Sequence, residues 1–457
     1  MSTVSTTDFK HPQVYLNNDK NSFAYTSSRD RWPHILTGVI DDVHKTIAET
    51  PEGEKRDELK KVLEQITALK HDVEHDKPLK ELPNVADDIP VYNRLLKENP
   101  TSWLQGGWVF VECYLYRELQ VYFDQTKNWK TYDIFSRQKE DAFKASSAGV
   151  SELATRYKAL AEQLNGVSDE ATLKELFKEF SDISLWGNAT DLSLLTTMSL
   201  EEIKNLQGAD VRKKNEEKIL VNHIEKAWDV LYADSKQNDG SRVDIILDNA
   251  GFELYADLSL VLFLLDSKLA KNVILHPKNI PWFVSDVLPI DLVKTINYLK
   301  DSSFFPEGRE QIDYFVSKLQ GYLDDGSLSV RTSAFWTTPH FFWDIYPQGI
   351  DGGSQVWEDI KDSALVILKG DLNYRKLTCD AEWPRDTSFH TALGPLGVHD
   401  VHILSFRTCK ADVVVGLKPG QDKQLEKEWV EQGNSNPLSW CWSGKYAVIE
   451  FNDGKKQ

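Results

Sequence analysis

The pattern of apolar and polar residues divides the chain into a helical first half and an alternating second half. Up to about residue 235, apolar residues recur at helical spacing, and Trp103–Phe123 is apolar almost all round. Such a stretch is typical of a buried central helix. Beyond residue 235, short runs rich in β-branched residues alternate with helical stretches. This alternation is typical of βαβ units, so we expect an α/β fold with a mainly parallel sheet.

Five short apolar runs are the predicted strands: Val243–Leu247, Asn272–His276, Ala364–Leu368, Asp412–Val415 and Tyr446–Phe451. The polar stretch Ser235–Ser241 lies just before the first of them and is the best candidate for a linker. We therefore predict an all-α domain over residues 1–235 and an α/β domain over residues 236–457. Glu112 and Arg117 in the buried helix need polar partners, most simply each other or a neighbouring helix, and a structural pair is favoured over a catalytic role.

The composition narrows the classes of partner. A net charge of −18 argues against a nucleic acid or an anionic membrane, because both attract basic surfaces. An anionic substrate stays possible, since a site needs only a few local cations. Four widely spaced cysteines without a CxxC pair suit reduced thiols. The polar N-terminus has no apolar signal core and no stretch is long enough to span a bilayer, so we expect a cytoplasmic protein.

Candidate chemistry begins where the first predicted strand ends. The run Val243–Leu247 stops at Asp248 and Asn249, and a long apolar helical pattern, Phe252–Leu269, follows at once. Open α/β sheets bind ligands at the carboxyl ends of their strands, and a helix N-terminus favours an anion. Two hard oxygen ligands beside such a helix end suggest a divalent metal that holds a phosphate group.

Three further polar stretches lie next to predicted strands. Pro281–Asp286 follows the second strand, Lys369–Arg375 follows the third, and Arg407–Lys410 precedes the run Asp412–Val415. If the first two of these stretches meet the Asp248 turn, they supply oxygen ligands for Mg²⁺ or Mn²⁺, with Lys369 and Arg375 for phosphate. Each short motif alone is weak evidence.

Several other patterns have more than one interpretation. Glu253 and Asp257, one helical turn apart, either hold substrate hydroxyls or complement the helix dipole. Leu185–Ser193 is either a capped turn or a loop that reaches the active site, and the two are evenly balanced. His71–His75 fits the H-x-x-E-H zinc pattern but lacks apolar backing, which favours a solvated helix face. The sequence has no GxGxxG fingerprint and no GxxxxGK[ST] loop.

Taken together, these motifs resemble a known family. Asp248–Glu253, Asp286, Lys369–Arg375 and Arg407–Lys410 are similar to the damage-control metal phosphatases, once called a domain of unknown function. They look most like the third subfamily, sugar-phosphate phosphatases also described as acidic-residue methyltransferases, whose R-T-x-K signature Arg407–Lys410 resembles. The likeness covers most of the chain and includes the Trp186-Gly-Asn188 run and the helix of Trp103–Arg117.

The resemblance implies a helical N-terminal region followed by a Rossmann-like α/β/α sandwich. It implies that Asp248, Asn249 and Asp286 are catalytic and bind a divalent metal, with Mn²⁺, Co²⁺, Ni²⁺ and Mg²⁺ as candidates. Together with the interpretations above, the resemblance gives this set of expected substrate-binding residues: Asp248, Asn249, Glu253, Asp286, Asp371, Leu372, Asn373, Tyr374, Arg375 and Lys410.

We therefore expect metal-assisted hydrolysis of a sugar phosphate monoester, with fructose 1-phosphate and fructose 6-phosphate as the substrates that the resemblance implies. The nucleophile is either a metal-activated water or Asp248. The alternative is an S-adenosylmethionine-dependent protein carboxyl methyltransferase with Glu253 and Asp286 near the cofactor, although a glycine-rich cofactor turn is missing. A third possibility is a sensor that binds without turnover. The expected partner is a small sugar phosphate, with no nucleic acid, membrane or obligate protein partner.

Overall fold

The computed structural model describes residues 9–164, 169–188, 217–237 and 241–456. A single seven-stranded sheet has the order β1-β7-β6-β5-β2-β3-β4. All neighbouring pairs are parallel except β6 with β7, so the mainly parallel α/β sheet expected from the sequence is confirmed. The strands are β1 Ile219–Asn222, β2 Ser241–Ile246, β3 Ala270–His276, β4 Leu328–Val330, β5 Leu365–Lys369, β6 Ile403–Thr408 and β7 Ala447–Asn452.

Helices make up most of the chain before β1 and connect the strands after it. Those before β1 are α1 Phe23–Thr26, α2 Trp32–Glu49, α3 Glu54–Glu74, α4 Ile89–Glu98, α5 Trp108–Asp124, α6 Ser136–Ala145, α7 Ser147–Leu164 and α8 Glu170–Gly187. Those after it are α9 Ile224–Gln237, α10 Phe252–Asp266, α11 Pro289–Lys300, α12 Arg309–Asp324, α13 Gly353–Ile360, α14 Gly370–Leu377, α15 Phe389–Ala392 and α16 Gln421–Glu431. Within the described ranges, no helix is long and apolar enough to cross a bilayer.

The prediction of a strand at Asp412–Val415 is wrong. The neighbouring strand is β6, which ends at Thr408, so Arg407 lies inside a strand and not ahead of one. The run is a buried loop because side chains take its backbone hydrogen bonds. Arg407 donates to the carbonyls of Ala411 and Val413, and the amide of Val415 donates to the Tyr374 hydroxyl at 3.0 Å. The other four predicted runs overlap β2, β3, β5 and β7.

Strand β1 belongs to the sheet although it lies before residue 236. It pairs in parallel with β7, through Val221 opposite Val448. The predicted linker Ser235–Ser241 overlaps the end of α9 and the start of β2, and residues 238–240 lie outside the described part of the chain. The division into domains at residue 235 stays a prediction.

Two helices that are apolar on all sides form the centres of the two main cores. Every residue of α10 from Phe252 to Leu265 is buried, which places this helix between the sheet and helices α7 and α8. Helix α5 is also largely buried, with 13 of its 17 residues enclosed mainly by the N-terminal helices, as the sequence predicts. A helix with no polar face needs such surroundings, because each exposed apolar face would cost free energy.

Glu112 and Arg117 of α5 are paired with other residues and not with each other. Arg117 donates to Asp88 at 2.6 Å and to Asp124 at 3.0 Å. Glu112 accepts from Arg31 and, at 3.1 Å, from Arg375 of α14. Both are therefore buried structural ion pairs, and the pair with Arg375 joins α5 to the second half of the chain.

Glu450 of β7 gives the fold a specific dependence on pH. Burial raises the pKa of this carboxyl to about 8. The Tyr374 hydroxyl donates to its Oε2 atom at 2.7 Å, and Arg407 opposes the rise. The folded state therefore retains a proton that the unfolded chain loses above a pKa of about 4.5. Because the folded state binds more protons, stability should fall as the pH rises between these two values.

We predict that Glu450→Gln weakens this pH dependence. Glutamine cannot ionise, and its amide oxygen can still accept from Tyr374. The free energy of unfolding of the variant relative to the parent should rise by on the order of 1 kcal/mol per pH unit over the window from about pH 5 to 8. Urea unfolding at several pH values measures this difference, and a difference that stays constant with pH would exclude the protonated carboxyl.

Candidate metal and phosphate site

The turn after β2 and the segment after β3 lie against each other. Asn249 and Asp286 pair as an isolated antiparallel β-bridge. The amide of Val287 donates to the Asp248 carbonyl at 2.8 Å, and that of Ala250 donates to the Ser285 carbonyl at 2.7 Å. The structure thus brings together the three residues expected to hold a metal, all of which are buried.

Backbone strain accompanies this meeting point. Phe283 and Val284, just before Ser285, have φ values of +43° and +70°. Non-glycine residues seldom adopt this left-handed region, and a β-branched valine is especially disfavoured there. Strain of this kind persists only where surrounding contacts enforce it and is concentrated at functional sites.

Two side-chain amides hold the carboxylate of Asp248. The nitrogen of Asn188 donates to Asp248 Oδ2 at 2.6 Å, and that of Asn249 donates to the same atom at 2.8 Å. Both nitrogens also donate to Glu253 Oε2, at 2.8 and 2.7 Å. Asn188 follows the last residue of α8, so the helical first half of the chain contributes directly to this site.

Lys410 reaches the same place from the end of β6. Its ammonium group donates to the side-chain oxygen of Asn188 at 3.1 Å and to the Asn188 backbone carbonyl. Its backbone amide donates to Asp371 Oδ1 at 3.1 Å, and Arg407 forms an ion pair with Asp371 at 2.8 Å. Lys410 therefore points into the site, one amide group away from Asp248.

Helix α14 starts against the same carboxylate. Gly370, its first residue, has a φ of +85°, and a Cβ atom built on it would lie 1.8 Å from Asp248 Oδ2. Glycine is therefore required here for two reasons, the backbone conformation and the lack of space. The free N–H groups of the first turn of α14 start beside Asp248 as a result.

Lys369 is part of a buried ion-pair network behind the site. Its ammonium group lies 3.1 Å from Glu253 Oε1 and 2.7 Å from Asp257 Oδ1, and it donates to the Ser184 carbonyl at 2.7 Å. Burial disfavours the charge, but the two carboxylates outweigh it and raise the pKa of Lys369. The sequence suggested that Lys369 binds phosphate. In the structure its charge is instead paired with the carboxylates of Glu253 and Asp257.

The other predicted substrate residues on α14 contact different parts of the protein. Asn373 donates to the carbonyls of Lys369 at 2.8 Å and Leu247 at 3.3 Å, next to Asp248. Leu372 packs in the core of the N-terminal helices, and the Tyr374 hydroxyl bonds to Glu450. Their role in substrate binding stays a prediction.

Among the described residues, the polar and ring contacts of the Arg375 side chain are with Asp380, Glu112 and Trp108 and not with the Asp248 turn. It binds Asp380 through two contacts of 3.1 Å, pairs with Glu112 and stacks on the Trp108 ring at 3.6 Å. Its guanidinium donors thus already have carboxylate partners, and its expected contact with substrate phosphate stays a prediction.

Several residues of the site were not identified from the sequence. Lys278 lies 3.0 Å from Asp286 Oδ2 and donates to the Leu247 carbonyl at 2.8 Å. Lys139 of α6 donates to the Asp286 carbonyl at 3.1 Å. Asn188 was left between two interpretations; the described part of its stretch is the end of a helix, and residues 189–193 lie outside the described residues. Two signals were present in the sequence, the position of Lys278 just after β3 and the Trp186-Gly-Asn188 run of the family resemblance.

The donor atoms fit a divalent metal of the oxygen-preferring kind. Asp248 and Asp286 offer carboxylates, and Asn249 offers an amide oxygen whose present contact is the Ser285 hydroxyl at 2.5 Å. Carboxylate and carbonyl oxygens suit Mg²⁺ and Mn²⁺. Over the described ranges, no group of three or more His, Cys, Asp or Glu residues is placed to hold a metal ion. A metal site at Asp248 and Asp286 would therefore need the amide oxygen of Asn249 as its third ligand. The rings of His71 and His75 stack with their centroids 4.0 Å apart, and His75 Nδ1 lies 2.8 Å from the His71 carbonyl oxygen.

Comparison with known proteins gives the family. Residues 27–425 match the model of the damage-control phosphatase ARMT1-like domain. The chain belongs to this family. Damage-control phosphatase ARMT1 of Mus musculus is 34% identical over 448 residues, covering 95% of this chain and 97% of that protein. The protein of the same name from Homo sapiens is 33% identical over 458 residues, covering 96% and 98%.

The resemblance drawn from the motifs is thus confirmed at the level of the family. Damage-control phosphatases generally depend on a divalent metal, which agrees with the oxygen donors described above. A solved DUF89 family protein from Pyrococcus horikoshii is 13% identical with a TM-score of 0.38, covering 85% of this chain and 93% of that chain. This likeness is too low to support an argument.

We predict that Gly370→Ala disrupts the site whereas Gly420→Ala does not. Both glycines have a positive φ, of +85° and +82°, but nothing lies within 4 Å of the Cβ position at Gly420. Each alanine should cost roughly 1 kcal/mol from backbone strain. Only Gly370→Ala also displaces the Asp248 carboxylate, so only it should lose Mn²⁺ binding. Urea unfolding and Mn²⁺ titration measure the two effects, and equal Mn²⁺ affinities in the two variants would contradict the proposed contact.

Proposed function

We propose that this protein is a divalent-metal-dependent phosphatase that hydrolyses sugar phosphate monoesters such as fructose 1-phosphate and fructose 6-phosphate. The observation that carries the proposal is the position of Asn188 between Asp248 and Lys410. One amide donates to the acid that would bind the metal and accepts from the lysine that would bind phosphate. Family membership supports phosphatase chemistry, and the motif resemblance supports the choice of sugar phosphates.

Each group has a definite task in this proposal. Asp248, Asn249 and Asp286 would hold the metal, which supplies charge stabilisation at a phosphoryl oxygen. Lys410 would bind a second phosphate oxygen, with the N–H groups at the start of α14 beside it. Asn188 would keep Lys410 and Asp248 at a fixed separation, since both bond to its short side chain. The nucleophile is either water or Asp248.

The charge balance of the buried site favours a metal and a phosphate arriving as a pair. The acids Asp248, Glu253, Asp257, Asp286 and Asp371 outnumber by one the nearby cations Lys278, Lys369, Arg407 and Lys410. A lone phosphate dianion would add to this excess of negative charge in buried surroundings, which is costly. A divalent metal with a phosphate monoester of roughly two negative charges adds almost no net charge.

The methyltransferase alternative gains no support from the contacts of Glu253. Both carboxylate oxygens of this residue accept from protein donors, Oε1 from Lys369 and Oε2 from the two asparagine amides. We further infer a cytoplasmic protein whose partner is the small substrate, without a nucleic acid, membrane or obligate protein partner. The net charge of −18 supports this inference.

A metal panel tests the proposal. Phosphate release from fructose 1-phosphate and fructose 6-phosphate should require Mn²⁺, Co²⁺, Ni²⁺ or Mg²⁺ and should stop on chelation. Asp248→Asn should lower kcat/KM by on the order of 100-fold or more, because it removes a metal carboxylate. Asp257→Asn is the control, since Asp257 is equally buried but bonds to Lys369 and Ser184 and not to Asp248. Tight substrate binding without turnover in every metal would instead indicate a sensor.

Lys410→Met should act mainly on substrate binding. Loss of one charged hydrogen bond to phosphate should raise KM by on the order of 10- to 100-fold, with a smaller effect on kcat. The matched control is Lys376→Met, a fully buried lysine that donates only to the carbonyls of Trp336 and Thr338 among the described residues. Steady-state kinetics decide the question, and equal KM changes in both variants would remove Lys410 from the phosphate site.

A further inference from the structure

The orientation of two amide side chains is fixed by acids that can only accept hydrogen bonds. Asn188 and Asn249 each direct their nitrogen to Asp248 Oδ2 and Glu253 Oε2, at distances from 2.6 to 2.8 Å. An ionised carboxylate has no proton to donate, so neither amide can present its oxygen to these atoms. The oxygen of Asn249 is therefore turned toward Ser285, the neighbour of Asp286. This is the orientation that a metal ligand requires.

The second carboxylate oxygen of Glu253 is held in place by Lys369. Its Oε1 atom accepts from Lys369 at 3.1 Å, and the same ammonium group bonds to Asp257 at 2.7 Å. All three residues are fully or almost fully buried. Because Lys369 engages one oxygen and the asparagines engage the other, each carboxylate oxygen already has a protein donor, and the side chain is fully buried.

We propose that Glu253 is a positioning residue, which fixes the amide orientation of Asn249 and Asn188 and does not contact the substrate. The inference rests on the proposed function, since it assigns the oxygen of Asn249 to the metal. It replaces the expectation that Glu253 binds substrate. Partners of metal ligands commonly change metal affinity by 10- to 100-fold, so the effect should be measurable without turnover.

Glu253→Gln and Asp257→Asn form a matched pair. Each removes one carboxylate charge from the surroundings of Lys369. In the Glu253→Gln variant, an amide oxygen that stays on Lys369 forces the new NH₂ group against the nitrogens of both asparagines, so these amides must turn or move. In the Asp257→Asn variant, one oxygen can still accept from both Lys369 and Ser184, because Asp257 receives both bonds on Oδ1. The new NH₂ group takes the place of Oδ2, which has no hydrogen-bond partner among the described residues.

The experiment is a Mn²⁺ titration of the full-length protein without substrate, followed by the spin-resonance signal of free Mn²⁺. Glu253→Gln should raise the Kd by on the order of 10- to 100-fold. Asp257→Asn should change it by less than about threefold, because the ligand orientation is kept. Equal losses in both variants would overturn the positioning role and leave only a structural effect of the Lys369 ion pairs. If the parent protein binds no Mn²⁺ in this titration, and no Co²⁺, Ni²⁺ or Mg²⁺ by calorimetry, both the inference and the proposed function fail.

Asn249→Asp supplies a second and independent test. Beside Glu253 the new carboxylate meets a like charge, which should weaken the site. In the Glu253→Gln background it can accept from the new NH₂ group of the glutamine, and either of its oxygens can serve the metal. The new carboxylate also faces Asp248 in both backgrounds. The substitution should therefore weaken Mn²⁺ binding more in the parent than in the Glu253→Gln background. The same change in both backgrounds would show that residue 253 does not set the orientation of residue 249.

Discussion

Three distant segments of the chain meet at the carboxylate of Asp248. The end of α8 contributes Asn188, the turn after β2 contributes Asn249, and the start of α14 contributes a glycine that allows the backbone to approach. The loop with Asp286 joins this meeting point through the turn after β2, and Lys139 of α6 also donates to the Asp286 carbonyl. The parallel sheet makes the meeting possible, since β2 and β5 are neighbours whose carboxyl ends lie at one edge.

Burial of so many charges in one region is costly, and the fold compensates for it with direct pairs. Lys369 bridges Glu253 and Asp257, Lys278 pairs with Asp286, and Arg407 pairs with Asp371. Such networks contribute little net stability compared with an apolar core, but removal of one partner leaves the charge of the other partner buried without compensation. The site is therefore best understood as a network of directly paired charges with a small excess of acids.

The sequence predicted the elements that local pattern determines. The β-branched run of β2 and the fully apolar helix α10 identified the Asp248 turn, and the family motifs identified Asp286 and Lys410. The prediction of a strand at Asp412–Val415 was wrong because a strand-like composition does not reveal that Arg407 donates hydrogen bonds to the backbone carbonyls there. The partners of Lys369 and Arg375 depend on which helices pack against α14, and no local spacing encodes that. Asn188 could not be assigned for the same reason.

The most direct test of the account is the position of a bound metal. A crystal of the protein grown with Mn²⁺ should show one anomalous scattering peak in contact with Asp248, the side-chain oxygen of Asn249 and Asp286. Lys410 should then lie across from it, still bonded to Asn188. A peak elsewhere, or one that contacts the nitrogen side of Asn249, would contradict the site and the chemistry proposed for it.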